Sequence, residues 1–202
     1  MSSGVIAVIR TDDPQQALTL GRGFSNTSVD AIEITMTVPN ALEIIEQLIG
    51  EGIQRVGGGT VRTVEQVRRL AKVGANFIVS PHLDEKIVKE AVSLGVPVTP
   101  GTLTPTEMVL ALQWGATSQK VFPIGALGGQ SYVKSVLEPL PDLSLVVSGG
   151  VQTHEVNSYL DLGCVGVCLG GALWRVEDAA TGDASRVQQY ADAALARVAI
   201  GK

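Results

Sequence analysis

Six lysines occur in this 202-residue chain, and one of them, Lys120, is not accounted for as a solvated surface residue. It sits in Gln119-Lys120-Val121-Phe122-Pro123-Ile124, an apolar run flanked by Gly115 and by Gly125-Ala126-Leu127-Gly128-Gly129. Lys72, Lys86, Lys89 and Lys134 fall on polar faces of segments with helical periodicity, and Lys202 is the last residue. Desolvation of an ammonium in an apolar strand favours the free amine. A free amine in a pocket condenses with a ketone or aldehyde to form an imine. A strand-end lysine that reaches into water fits the position equally well.

Glu33 is the only carboxylate embedded in a predicted strand. In Glu33-Ile34-Thr35-Met36-Thr37 the period of two puts Glu33, Thr35 and Thr37 on one face and Ile34 and Met36 on the other. A carboxyl group buried among apolar neighbours favours its protonated form and can move protons; a structural partner for it, Arg10 or a backbone amide, is the competing reading. Arg10 ends the first predicted strand as a permanent cation suited to a carboxylate or phosphate, or to a structural salt bridge. Gly57-Gly58-Gly59-Thr60 permits close backbone approach and adds a hydroxyl, although a tight turn accounts for the glycines as well. Gly149-Gly150 after Ser148 and Gly170-Gly171 before Ala172 stand at matching places in consecutive units. Paired glycines there, each followed by a helix start, form an anion cradle of backbone N–H groups and helix dipole.

These residues need a scaffold that brings them together. Strand-like runs alternate with helical patterns about eight times: Val5 to Arg10, Ala31 to Thr37, Arg55 to Thr60, Phe77 to Pro81, Val96 to Gly101, Lys120 to Ile124, Leu143 to Gly149 and Val165 to Gly170. Asp13, Asn40, Thr63 and Thr104 read as helix N-caps, and Gly52, Gly74, Gly95, Gly115 and Gly163 as helix stops. Eight such units in about 200 residues imply an α/β protein, a (β/α)8 TIM barrel formed as one domain over residues 1–202, with its site at the C-terminal mouth. A doubly wound open sheet is the rival. The chain is 45% hydrophobic and 17% charged with a formal charge of −5. Its basic residues are scattered, so neither nucleic acid nor a membrane is an expected partner. Met1-Ser2-Ser3-Gly4 has no charged n-region, and a cytoplasmic location is expected. Cys164 and Cys168, about 13 Å apart along one predicted strand, are too distant for a disulfide and read as buried thiols. His82 and His154 make no metal constellation, and no cofactor is expected.

With Glu33-Ile34-Thr35, Gly57-Gly58-Gly59-Thr60-Val61, Ile78-Val79-Ser80-Pro81, Pro100-Gly101, Lys120-Val121-Phe122-Pro123, Ser148-Gly149-Gly150-Val151 and Gly170-Gly171-Ala172-Leu173-Trp174, the chain resembles the 2-keto-3-deoxy-6-phosphogluconate and 4-hydroxy-2-oxoglutarate aldolases along nearly its whole length. The resemblance implies a metal-free homotrimer that splits a phosphorylated keto acid into pyruvate and glyceraldehyde 3-phosphate, or 4-hydroxy-2-oxoglutarate into pyruvate and glyoxylate. It makes Lys120 the Schiff-base lysine and Glu33 the general acid/base. Arg10, Thr35, Thr60, Pro81 and Ser148 are then expected to bind substrate, and Gly149, Gly150, Gly170 and Gly171 to bind phosphate. Three positions depart from the family pattern. Thr37 stands where the family has a carboxylate-binding arginine, a loss worth about 2–3 kcal/mol unless another donor such as Arg10 compensates. His82 replaces a glycine, and Ala172 a serine. Two rivals remain open: a sugar-phosphate isomerase or epimerase on the same barrel, and a barrel that binds a phosphorylated ligand without catalysis.

Overall fold

The computed structural model describes residues 3–198; Met1, Ser2 and Lys202 lie outside the described residues. Parallel strands alternate with helices: β1 (Val5–Ile9), α1 (Pro14–Phe24), β2 (Ala31–Thr35), α2 (Ala41–Gly50), β3 (Val56–Gly59), α3 (Val64–Lys72), β4 (Ile78–Val79) and α4 (Glu85–Ser93). They continue through β5 (Val98–Thr99), β6 (Gly101–Thr102), α5 (Pro105–Gln113), β7 (Gln119–Val121), α6 (Gln130–Leu137), β8 (Leu145–Val147), α7 (Val156–Asp161), β9 (Gly166–Leu169), α8 (Val176–Ala179) and α9 (Ala184–Leu195). The strand order is β5-β4-β3-β2-β1-β9-β8-β7-β6, which is the sequence order wrapped round a circle.

The two ends of that order are joined covalently. β5 and β6 are separated only by Pro100; β5 pairs with β4 and β6 with β7. Proline has no N–H for a ladder, so the segment changes partner there, while the Pro100 carbonyl still accepts from Lys120 N at 2.9 Å. One predicted strand is thus two short ones, the barrel closes, and the open-sheet alternative falls away.

Inside and outside of the barrel wall alternate as a period of two demands. In β1, Val5, Ala7 and Ile9 are fully buried against the helices, whereas Val8 and Arg10 face the mouth. Phe24, Leu20, Ile45, Leu48, Leu70 and Ile87 fill the layer between strands and helices, each contributing about 1.5–3 kcal/mol through burial. Asp13, Thr63, Asp84 and Thr104 cap their helices with side-chain oxygens. All five expected glycine stops have positive φ, between 69° and 100°.

Three local expectations are corrected. The strand expected over Lys120 to Ile124 ends at Val121; a cis Phe122–Pro123 bond and a 3-10 turn over Ile124–Leu127 follow it. β2 stops at Thr35 rather than Thr37, because Val38 N turns back to the Thr35 carbonyl. Asn40 takes a left-handed conformation, φ 58°, and makes no side-chain cap for α2.

Candidate active site

The mouth of the barrel holds a cavity of about 560 Å³. Arg10, Glu33, Thr60, Pro81, Lys120, Ser148, Gly149, Gly150, Gly170 and Gly171 all line it. Of the expected site residues only Thr35 is absent from the wall. It is fully buried, donates to the Ile9 carbonyl at 3.1 Å and shares a 2.9 Å hydroxyl contact with Thr37. Its place is behind the site rather than in it.

Lys120 is the central residue of β7. Its backbone is pinned on both sides, opposite Gly101 of β6 and Val146 of β8, and Thr102 donates its hydroxyl to the Lys120 carbonyl. The side chain is 7% exposed, with Nζ 5.4 Å from the centroid of the Phe122 ring.

Glu33, on β2, is 1% exposed, and neither carboxyl oxygen has a hydrogen-bond partner within the protein. Such a group costs free energy to bury. The expected structural alternatives, Arg10 or a backbone amide, are therefore not its partners. The facing residue is Gly59 of β3, and a Cβ there would lie inside van der Waals contact with Glu33 Oε1 and 2.5 Å from Cδ and Cγ. The triple glycine is thus in the strand itself and is not a turn, and its third member, Gly59, makes room for the carboxyl group.

Arg10 leans across the end of β2: one guanidinium nitrogen donates to Thr37 Oγ1 and the other to Thr60 Oγ1, each at 2.9 Å. Thr60 is left-handed, φ 56°, which carries its hydroxyl to the rim. On the far side, Gly149 and Gly150 adopt φ of 90° and 89°. Gly149 packs on Phe122 and Pro123, and its carbonyl accepts from Gly125 N at 3.0 Å. The expectation of helix starts directly after the glycine pairs needs correction. α7 begins at Val156 and has six residues, and α8 begins at Val176 and has four. An anion at the glycine pairs would be met by backbone N–H groups without a long aligned helix dipole behind them.

Sequence reasoning treated Cys168 only as a buried thiol, yet it is part of the cavity wall. Burial pushes the thiol up to about 12; nearby Lys120 opposes the shift, Glu33 adds to it, and a hydrogen bond with Ser148 opposes it. Both candidate catalytic groups therefore lie close enough to Cys168 to act on it electrostatically. The period of two that aims Gly170 inward also aims Cys168 inward, so the signal was present. Phe122, Gln152 and Ala172 complete the rim. His82 is exposed; its carbonyl accepts from Ser80, which shapes the turn at Pro81. Among the described residues, no group of three or more His, Cys, Asp or Glu side chains is arranged to hold a metal ion, and no helix is long and apolar enough to cross a membrane.

A buried lysine, an unpartnered carboxyl group, a fork of guanidinium donors and a glycine cradle in one cavity make an arrangement suited to an anionic carbonyl compound. Comparison with known proteins agrees with that chemistry. The KDPG and KHG aldolase family matches residues 1–190. The chain is 34% identical over 196 residues to the 2-dehydro-3-deoxy-6-phosphogalactonate aldolase of Escherichia coli, covering 94% of this chain and 95% of that one. It is 33% identical over 174 residues to the 2-dehydro-3-deoxy-phosphogluconate aldolase of Haemophilus influenzae, covering 86% and 81%. Among solved structures, a KDPG aldolase from Legionella pneumophila with pyruvate captured as a covalent carbinolamine superposes with a TM-score of 0.85 at 26% identity, covering 96% of this chain and 94% of that one. The barrel, the cavity and the comparisons converge: this chain is an aldolase and belongs to the KDPG and KHG aldolase family.

Proposed function

We propose that the protein is a class I aldolase that cleaves a phosphorylated 2-keto-3-deoxy sugar acid, 2-keto-3-deoxy-6-phosphogluconate or its galactonate epimer, to pyruvate and glyceraldehyde 3-phosphate. 4-Hydroxy-2-oxoglutarate, giving pyruvate and glyoxylate, is the shorter substrate of the same type. The observation that carries this reading is that Lys120 and Glu33 line one cavity at the barrel mouth, the carboxyl oxygens having no protein partner. A carboxyl group left unpaired among apolar neighbours is available to a substrate, or to a water that a substrate brings.

The steps follow from the groups. Lys120 Nζ attacks the C2 ketone, forming a carbinolamine, and Glu33 relays the proton that lets hydroxide leave as water, which yields the imine. The imine, protonated, draws electrons from the C3–C4 bond as the C4 hydroxyl loses its proton to Glu33 or its water. The bond breaks, the aldehyde departs, and an enamine remains on Lys120. Protonation at C3 gives the pyruvate imine, which water hydrolyses to pyruvate and free lysine. Gly149, Gly150, Gly170 and Gly171 hold the substrate phosphate, and Ser148 faces the hydroxylated chain. Pro81 and Thr60 bound the pyruvyl end. The working unit under this reading is one (β/α)8 domain in a cytoplasmic homotrimer.

The test is incubation with pyruvate followed by sodium borohydride and peptide mapping. One reduced pyruvate on Lys120, with irreversible loss of activity, is the expected result. Undiminished cleavage of the phosphorylated keto acid by Lys120→Ala would overturn it.

A further inference from the structure

The mouth cavity takes up only the upper part of the barrel interior. On the same inward faces, two positions earlier, Ile6 precedes Val8, Ala31 precedes Glu33 and Ser118 precedes Lys120. These three line a second cavity, of about 520 Å³, at the N-terminal end of the barrel. The interior of such a barrel is ordinarily filled by layers of bulky branched side chains. Here Ala31, Ser118 and Gly166 stand at inward positions and leave it unfilled. Nothing around Gly166 forces a glycine. Its φ lies outside the left-handed region, and a Cβ there would meet methyl groups of Ile6 and Val146 at 3.4 Å, an ordinary van der Waals contact. Space is left where a side chain would fit.

The wall of this recess divides by chemistry. Val165, on its rim, is 56% exposed. The half-buried Phe77 ring lies across Gly57, where a Cβ would come within 2.6 Å of it, so the ring is held as an apolar wall. Arg55 is the one basic side chain among the described residues that line the recess. It is exposed, and its contact with the Asp30 carbonyl is long, 3.4 Å, beyond the ordinary N–H···O range. A guanidinium has five N–H donors, so this one can also meet an anion. The Asp30 carboxylate is turned to the chain, where it accepts from Ser3 N at 3.1 Å and Gly4 N at 2.6 Å. An apolar recess with a cation on its rim matches a molecule with a hydrocarbon body and one negative charge. Its volume is within the usual range for small-molecule sites, about 300–1,000 Å³. Because it lies inside the ring of strands, it suits a small molecule better than the face of a second copy.

We propose that the N-terminal end of the barrel is a second binding site, one for an apolar monocarboxylate, with the carboxylate on Arg55 and the hydrocarbon against Phe77, Val146 and Val165. Cys168 lines both cavities, so an occupant rests on the underside of the active-site wall. The site does not depend on the imine chemistry proposed for the mouth.

Octanoate is the probe, titrated calorimetrically into the full chain, with butyrate, hexanoate and 1-octanol for comparison. Affinity should rise by about fourfold for each CH₂ added between butyrate and octanoate. Arg55→Met should weaken octanoate by about 3- to 10-fold and leave 1-octanol unchanged. Arg10→Met, in the mouth cavity, should leave octanoate unchanged, which separates the two ends of the barrel. Gly166→Val fills the recess and should abolish binding. Should it not fold, Val165→Asp carries the comparison from an exposed position, with an expected loss of about tenfold from a like charge and lost apolar contact. No octanoate binding to wild type would overturn the assignment, and sedimentation showing copies joined through this end would then name a second copy as the occupant. Binding that ignores chain length, that survives both Gly166→Val and Val165→Asp, or that is lost in Arg10→Met and kept in Arg55→Met would overturn it as well.

Discussion

Gly59→Ala puts a methyl group where the Glu33 carboxyl group sits. The added Cβ would press into Oε1 and come 2.5 Å from Cδ and Cγ. β3 is held on both sides by its ladders, so the carboxyl group moves rather than the strand. Forced repacking of this kind costs about 1–3 kcal/mol, which for a chain of this size lowers Tm by about 2–12 °C. Displacing a general acid/base removes about 10²- to 10⁴-fold of rate. Gly58→Ala is the matched control: its Cβ would meet the Leu70 methyl groups at 2.5 Å on the outer face, a similar overlap that does not touch Glu33. Pyruvate release, coupled to lactate dehydrogenase, is measured with melting curves for both variants. The expected pattern is two destabilised proteins, of which only Gly59→Ala loses kcat. If Gly59→Ala kept a kcat within about tenfold of Gly58→Ala, the position of the Glu33 carboxyl group would not matter to catalysis, and its role as proton carrier would have to be abandoned.

Other predictions concern the thiols and the ion pairs. Cys168, held as a thiol by burial and raised to about 12, should resist iodoacetamide at pH 8 in the native protein and react once it is unfolded; fast native labelling would contradict the burial argument. Asp178 is 2% exposed and accepts from both Arg175 and Arg186 at 2.7–3.1 Å. Asp178→Asn should therefore cost about 1–3 kcal/mol of stability in a thermal melt, with activity per folded molecule retained; an unchanged Tm would count against it. The Arg22 hydrogen bond is the main cause that lowers Glu51 from 4.5 to about 2. A value depressed on folding stabilises the native state above pH 4.5, and the stabilisation is lost as pH falls towards 2. Both side chains are a third or more exposed, so screening leaves about 0.5–1 kcal/mol. The stability gap between wild type and Arg22→Met should be full at pH 7 and shrink steadily as pH falls from 4.5 towards 2; a gap independent of pH would show that the pair is not its source.

How much of this was legible in the sequence differs from residue to residue. The strand–helix alternation, the glycine stops and the caps at Asp13, Thr63 and Thr104 are local, because each depends on residues within a few positions of one another. Lys120 stood out for a local reason too: an ammonium in an apolar run is costly wherever the run goes. Asn40 misled because its backbone turns left-handed to accommodate the bend after β2, a demand set by the strand that precedes it. The end of β7 misled because the apolar run through Ile124 continues past the point where Pro123 breaks the ladder.

What the sequence by itself determined was the class of fold, the lysine and the carboxyl group as the residues able to do chemistry, and the glycine pairs at the rim. Those follow from periodicity and from the cost of burying polar groups. Only the tertiary structure decided how the barrel closes, with the chain changing partners at Pro100. It alone left Glu33 unpartnered, required Gly59 beside that carboxyl group and turned Arg10 towards Thr37 and Thr60. Each of these joins positions far apart in the chain, 27 and 50 residues in the case of Arg10. A side chain at the end of a strand has two neighbouring strands to lean towards, and which one it meets depends on donors and space supplied from outside its own segment.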